Sequence, residues 1–410
     1  MTCGPAKIVF VNRYFYPDQS ATSQLLTDLA AALVQAGGRV HVICSRQRYD
    51  DANARLPATD VIRGVVVHRV WGTCFGRDRL WGRALDYGAF YLAGTVAMMR
   101  LLNRGDIIVA KTDPPLISIP AMAVAKIRGA SLVNWLQDIF PEVATALSAN
   151  PLPRVLDSLL RRLRDWSLHS ARFNVVLGER MQARLQQAGV SLAKIRVIPN
   201  WAEAAPAAPK MVECSDLRAR LELSNAFVVG YSGNLGRAHD FRTVFDAAQL
   251  LRSETDIVFL MIGGGATMAQ LQRSVTDAGL DNFRFLPYQS RELVSDSLAA
   301  ADVHWVTLVP SLEGLIVPSK YYGILAAARP VVFIGDADGE LARDIRSAVC
   351  GDAVAIGAAQ ELATLLQKWK ADPQRRSLMG RNGHQRYLEQ YCAARAFKQW
   401  SLVIEQTVKF

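Results

Sequence analysis

The chain predicts an α/β protein of two Rossmann-like domains, each a doubly wound parallel sheet, facing each other across a cleft. Three observations carry this. Short apolar runs alternate with stretches of helical spacing, the rhythm of parallel sheets with right-handed crossovers. The alternation occurs twice, on either side of an Ala/Pro-rich tract without periodicity, Ala202–Pro209. The length of 410 residues also exceeds one ordinary core. The domains are read as 1–205 and 206–394, with a C-terminal helix over about 395–410 packing back on the first.

Lys7–Val11 opens the first series, apolar after its Lys as a strand covered on both faces should be. A polar and aromatic loop, Asn12–Thr22, leads into a helix over Ser23–Gln35, with Leu25, Leu26, Leu29 and Leu33 on one face and Gly37-Gly38 as its stop. Strands follow at Arg39–Cys44, Val65–Val70, Ile107–Ala110, Leu132–Leu136 and Asn174–Leu177, and Ile195–Asn200 ends the half. The second series reads Phe227–Tyr231, Val258–Ile262, Phe283–Leu286, Val303–Leu308 and Val331–Ile334. A long helix is expected over Asn382–Val408.

Half the residues are hydrophobic and 20% are charged, which excludes a disordered chain. The net charge of +10 favours an anionic partner: a nucleotide diphosphate, a nucleic acid or a membrane surface. Lys and Arg are dispersed without interleaved aromatics, which argues against nucleic acid. The six cysteines are scattered, with no C-x-x-C and no metal-ligand spacing, so a reducing, cytosolic setting is the default. No signal peptide is evident. The longest uncharged runs, Tyr87–Met99 and Pro114–Ala125, fall short of the roughly 20 residues that span a bilayer.

The chemistry concentrates where strands end, since open α/β sheets bind ligands at those edges. Val317-Pro318-Ser319-Lys320 reads as a loop entering a helix, with Ser319 able to cap it. A Lys at a helix N-terminus sets two positive charges together, which makes sense with a phosphate between them. Glu313-Gly314, upstream, adds a carboxylate with a flexible neighbour. Ser232-Gly233-Asn234-Leu235-Gly236-Arg237-Ala238-His239 follows a strand; its glycines let backbone approach a phosphate, and Arg237 can clamp two oxygens. His239 is a further donor or a helix cap. Gly263-Gly264-Gly265 is a phosphate nest or a tight turn. Pro287-Tyr288 could hold a flat nucleobase, or form a surface turn. Asp336-Ala337-Asp338 matches a D-x-D metal pattern, but its glycine neighbours make it a turn; Glu340 beyond it could reach a ribose.

In the first half, Asp138 and Glu142 of Gln137-Asp138-Ile139-Phe140-Pro141-Glu142 follow a strand and could orient or deprotonate an acceptor hydroxyl. Glu142 also suits first-turn helix stabilisation. Lys111, ending its strand, could line the acceptor side. A helix over Leu152–Trp166 places Leu152, Val155, Leu156, Leu159, Leu160, Leu163 and Trp166 on one face, with Arg154, Arg161 and Arg164 largely off it. It is either core-facing or a basic amphipathic helix lying on an anionic membrane.

Taken in order, Phe15-Tyr16-Pro17-Asp18 with Ala21–Leu29, Gln137–Glu142, Gly230–Gly236 and Val317–Lys320 resemble the GT-B glycosyltransferases of family four, particularly the WbuB-like group. The resemblance implies a nucleotide-sugar donor in the C-terminal domain and a metal-independent, anomer-retaining transfer that needs no cofactor. It places Leu315, Ile316, Val317 and Ser319 beside the donor. Tyr16, Ser20, Ala21, Thr22 and Gln24 fall on the acceptor side, where the wider family often has a Gly-Gly turn. The family's acid–seven residues–acid motif is kept at Glu313 but has Tyr321 at its second acid, and Glu340 is the substitute candidate.

The expectation is therefore transfer from a UDP-sugar to a lipid-linked saccharide in bacterial O-antigen, capsule or exopolysaccharide assembly, at the cytoplasmic face of the inner membrane. The sugar of the namesake is N-acetyl-L-fucosamine. Arg237 and Lys320 would stabilise the leaving diphosphate, Glu313 orient the sugar and Asp138 organise the acceptor. The alternatives are a nucleotide-sugar epimerase on the same fold and a non-enzymatic basic nucleic-acid-binding protein.

Overall fold

The computed structural model describes residues 6–18, 20–48, 51, 54–73, 75, 80–148, 153–202, 209–212 and 215–408. Two compact units result. One runs through Pro199, takes in Gly314–Ile316 and resumes at Ala396; the other comprises Asn200–Glu313 and Val317–Arg395. The predicted boundary at 205/206 lies outside the described residues, as do most of the Ala/Pro tract and Leu152.

The first unit holds β1 (Lys7–Val11), β2 (Arg39–Ser45), β3 (Thr59–Ile62), β4 (Val65–Val70), β5 (Ile107–Lys111), β6 (Ser131–Trp135), β7 (Phe173–Val176) and β8 (Ile195–Val197). Their spatial order is β3-β4-β2-β1-β5-β6-β7-β8. All pairings are parallel except β3 with β4. Every residue of β5 and β7 is buried, because helices cover both faces, and this is why these strands read as unbroken apolar runs. The sequence reading missed β3. It is a four-residue edge strand, exposed at alternate residues, and it turns into β4 through Arg63 and Gly64, both at positive φ.

The second unit holds β9 (Phe227–Asn234), β10 (Ile257–Gly264), β11 (Phe283–Leu286), β12 (Val303–Thr307), β13 (Val331–Ile334) and β14 (Gly351–Val354), in the order β11-β10-β9-β12-β13-β14. Strand β14 was also missed. It begins at a glycine, where a side chain would collide with the Val331 carbonyl of its neighbour. The direction of winding reverses between β9 and β12, the switch point where such sheets open a crevice. These two strands pair only at Val229–Val303 and Gly230–His304. Beyond that they part, while β9 stays paired with β10 as far as Asn234–Gly264.

The predicted helix over Asn382–Val408 is interrupted. Helix Pro373–Arg386 runs into a π-helical turn, Tyr387–Tyr391, and a new helix spans Ala393–Val408. The break places Tyr391 against Tyr321 and Tyr322, and its hydroxyl donates to Asp344 at 2.7 Å. Trp400 of the last helix packs on Trp135 of β6, ring centroids 4.8 Å apart.

Candidate active site

The donor-side candidates assemble at the β9–β12 switch point. Strands β9 and β10 both continue into glycine turns, and Gly233 and Gly263 both have φ of 126°. A Cβ on Gly263 would collide with the Gly233 carbonyl, so the turns touch backbone to backbone. Leu235 N–H then donates to Gly264 O at 2.7 Å, and Gly265 fits beneath Asn234 and Leu235. The two motifs noted separately in the sequence thus form one paired surface.

Lys320 opens helix Lys320–Ala326, and its stem crosses Gly233, where a Cβ would lie within 3.0 Å of the Lys320 Cε. Its ammonium donates to Asn234 O at 2.9 Å and stands 5.1 Å from the Tyr231 ring centre. His239 Nδ1 donates to Thr307 O at 2.7 Å, leaving Nε2 to face Lys320 Nζ at 3.4 Å. Burial pushes Lys320 down to about 8. Burial and the facing lysine together push His239 down to about 4, so the imidazole is neutral and accepts. Ser319 precedes the helix in αR conformation, and its side chain makes no cap bond, so the expected cap is absent. Arg237 is exposed on the β9 turn, with Ser232, Asn234 and Gly236 around it. The Tyr288 ring lies against Gly264 at the end of β11, and Pro287 beside it is exposed.

Glu313 is buried, and its carboxylate accepts from the Glu340 backbone N–H at 3.3 Å. The two acids proposed for sugar and ribose are therefore neighbours. The D-x-D is a turn: Asp336 accepts from Asp338 N–H at 2.9 Å, and Asp338 pairs with Arg343 at 2.6 Å. Among the described residues no three of His, Cys, Asp and Glu gather as a metal-binding group.

Several first-half candidates stand differently from expectation. Lys111 is 1% exposed; its ammonium donates to Thr22 O at 2.7 Å and sits 3.7 Å from the Trp135 ring centre. Burial lowers its proton affinity well below that of a free lysine. It props the start of helix Ala21–Gln35 and offers nothing to an acceptor directly. Glu142 is likewise corrected. Both its oxygens accept from Arg164, at 2.9 and 3.1 Å, and Oε1 also takes Arg161. Leu315 and Ile316 belong to the first unit, where Leu315 O accepts from Ile139 N–H at 3.0 Å and Ile316 bridges Asp138. They pair with the loop after β6, and Val317 returns to the second unit.

Asp138 is placed differently. One oxygen is bonded by the Thr112 hydroxyl, and burial pushes the carboxyl up to about 6. Oδ1 is covered and meets no donor among the described residues. A cavity of about 20 Å³, lined by Thr112, Asp138, Phe140 and Arg164 among others, adjoins it. Tyr16 is half-exposed on the loop after β1, and Ser20 N–H donates to Asp18 at 2.9 Å just before Ala21 and Thr22. Gln24, one turn on, donates its own N–H to Ser20 O at 3.0 Å.

The helix predicted over Leu152–Trp166 runs Arg154–Ser170, and its apolar face is only partly covered: Leu160 and Leu163 are half-buried. Arg164 is buried against Glu142 and Asp165, and Arg161 pairs with Glu142 and Asp157, while Val155 (83%), Leu159 (50%) and Trp166 (54%) are exposed. The sequence reading put both arginines on the outer, polar side. It had no signal for Glu142 and Asp165 as partners, since Glu142 is far off in the chain.

Residues 21–201 match the Glycosyl transferase 4-like domain, and residues 215–386 match Glycosyl transferases group 1. The chain is 26% identical over 350 residues to a Pseudomonas aeruginosa protein named glycosyltransferase WbjE, covering 83% of each. It is 26% identical over 268 residues to the colanic acid biosynthesis glycosyl transferase WcaI of Escherichia coli K12, covering 63% of this chain and 65% of that one. Among solved structures, Anabaena Alr3699/HepE in complex with UDP and glucose superposes with a TM-score of 0.72 at 18% identity, covering 98% of this chain and 99% of that one.

Proposed function

Because this chain belongs to the GT-B glycosyltransferases, we propose that it moves a sugar from a UDP-sugar to a lipid-linked saccharide, as a member of the WbuB-like group. The product would enter O-antigen, capsule or exopolysaccharide, and an N-acetylated deoxyhexose such as N-acetyl-L-fucosamine is the proposed sugar. The kinship with WbjE and WcaI supports the polysaccharide setting.

One observation carries the reading: the Lys320 side chain lies along one of two touching glycine turns at the switch point of the second sheet. Exposed backbone and a cation there suit a diphosphate, and Arg237 adds a second cation. As the bond from sugar to phosphate breaks, negative charge grows on the leaving oxygen, where preorganised cations act most strongly. Glu313 orients the donor sugar and Glu340 the ribose. Asp138 accepts from the acceptor hydroxyl. In a retaining front-face transfer the departing phosphate takes the acceptor proton, and the two cations stand where a metal would.

The test is a thermal-shift screen of nucleotide sugars, followed by transfer to lipid-linked saccharide in EDTA. UDP-sugars should raise the melting temperature by mass action, and transfer should survive chelation. Stabilisation by no nucleotide sugar, or turnover restored only by Mg²⁺ or Mn²⁺, would overturn the reading. A new epimer formed without acceptor would replace it with epimerisation.

Among the described residues no helix is long and apolar enough to cross a membrane. The outward stripe of Val155, Leu159 and Trp166 supports peripheral docking on the anionic cytoplasmic leaflet, where the acceptor is anchored. Lys126 stands 4.7 Å from the Trp166 ring centre, and Ile127 beside it is exposed, so apolar and cationic groups share this surface. Leu159→Glu with Trp166→Glu should abolish co-sedimentation with phosphatidylglycerol vesicles; equal pelleting of the double variant would refute it.

A further inference from the structure

Gly339 lies in the turn before helix Glu340–Ser347, outside every motif that identifies the fold. Its backbone, φ −61° and ψ 162°, is ordinary extended chain that any residue adopts. Nothing in the local conformation demands glycine. The demand comes from neighbours: a Cβ on Gly339 would lie within 3.0 Å of the Glu313 Oε1 and Cδ and of the Asp336 carbonyl oxygen, with the Glu313 Oε1 much the closest. The same carboxylate accepts from the Glu340 N–H at 3.3 Å. Glu313 is therefore seated against the bare Cα of Gly339, at the positive end of a helix.

That helix is a firm seat. Further along it, Asp344 accepts from the hydroxyls of Tyr321 at 2.6 Å and Tyr391 at 2.7 Å, and from Arg386 Nε at 2.9 Å. Tyr321 directly follows Lys320 in sequence. The helix thus binds the residue next to the candidate cation through Asp344, and holds the candidate acid at its start.

We infer that Gly339 is a positioning residue for Glu313: the absence of a side chain there sets where the Glu313 carboxylate points. This rests on the proposed role of Glu313 toward the donor sugar. The physical consequence is specific. An alanine at 339 meets the Glu313 carboxylate most closely, the far end of a flexible side chain, and the Asp336 carbonyl marginally, so a small shift of the turn keeps the fold while the carboxylate is displaced.

Gly339→Ala, Glu313→Gln and the double variant form a thermodynamic cycle on turnover. Gly339→Ala should lower kcat at least tenfold, with UDP affinity by calorimetry and the melting temperature near wild type. In the Glu313→Gln background the same change should cost less than twofold, because the group it displaces is already disabled. Wild-type kcat in Gly339→Ala, or an equal loss in both backgrounds, overturns the inference. Wild-type kcat in Glu313→Gln overturns the role of Glu313 itself, and the coupling with it; a slow Glu313→Gln beside a normal Gly339→Ala overturns the coupling alone. Glu313→Asp is the second variant. Its shorter carboxylate cannot reach the Glu340 amide, so turnover should fall as in Glu313→Gln. Wild-type turnover in Glu313→Asp overturns the inference even if Gly339→Ala does not fold.

Discussion

At the edge of the second sheet, Lys320 crosses a glycine to reach a backbone carbonyl, and its neighbours on the turns are themselves glycines. At the edge of the first sheet, Lys111 ends on Thr22 O and the Trp135 ring, and Glu142 ends on two arginines. Both edges carry the charges that sequence motifs promised. In the second unit the charge stands over bare backbone, where an anion can join it. In the first unit the charges are consumed by their own unit and serve architecture, except at Asp138. Lys111 and Lys320 each meet a backbone carbonyl and an aromatic ring, so what separates them is the glycine turn along which Lys320 lies.

The sharpest way to break this comparison is to neutralise one charge on each edge. Lys320→Ala should lower turnover by roughly a hundredfold or more, on the order of 3 kcal/mol of barrier, with the fold retained. Steady-state kinetics alongside a melting curve check this, and near-wild-type turnover in a folded variant would sink the assignment. Glu142→Ala should do the reverse. It removes two of the bonds to Arg164, whose side chain is 9% exposed and keeps Asp165, and should cost about 2 kcal/mol of stability by urea denaturation while leaving UDP affinity unchanged. A lost acceptor KM without lost stability would return Glu142 to the acceptor site.

Smaller effects come from pH. Lys320 is held down to about 8, so kcat/KM, which reports the free enzyme, should fall as pH rises through 8 and the cation is lost. Lys320→Arg should carry that limb to higher pH, whatever its cost in rate. For stability the sign runs the other way. His239 and His304 are both held down to about 4 in the fold, against 6.5 when unfolded. Their contribution is complete above pH 6.5 and is lost as pH falls toward 4, at about 1.4 kcal/mol per pH unit for each. Asp138, held up to about 6, titrates in the opposite sense over the lower part of that window and offsets part of the slope. Denaturation midpoints should still fall as pH falls, and His239→Asn should flatten the slope by about 1.4 kcal/mol per pH unit; an unchanged slope would mean the imidazole is not held neutral.

The sequence by itself determined the backbone framework. Val331–Ile334 was placed to the residue, because a strand covered on both faces must be apolar throughout; Val65–Val70 and Phe283–Leu286 were placed to the residue although His68, Arg69 and Arg284 interrupt them. It also located both glycine turns and the Lys320 helix start, since positive φ and helix entry are local demands written in a few adjacent residues. Strands β3 and β14 escaped because short edge strands need no apolar run. Tertiary structure alone decided the partners: that Gly263 rests on Gly233, that Glu313 rests on Gly339, that Leu315 and Ile316 pair with Asp138 and Ile139, and that Arg164 is buried against Glu142. The physical reason is range. Conformational preference acts over a few residues, whereas ion pairs and close packing join positions tens of residues apart, as Glu142 joins Arg164, and no periodicity records them.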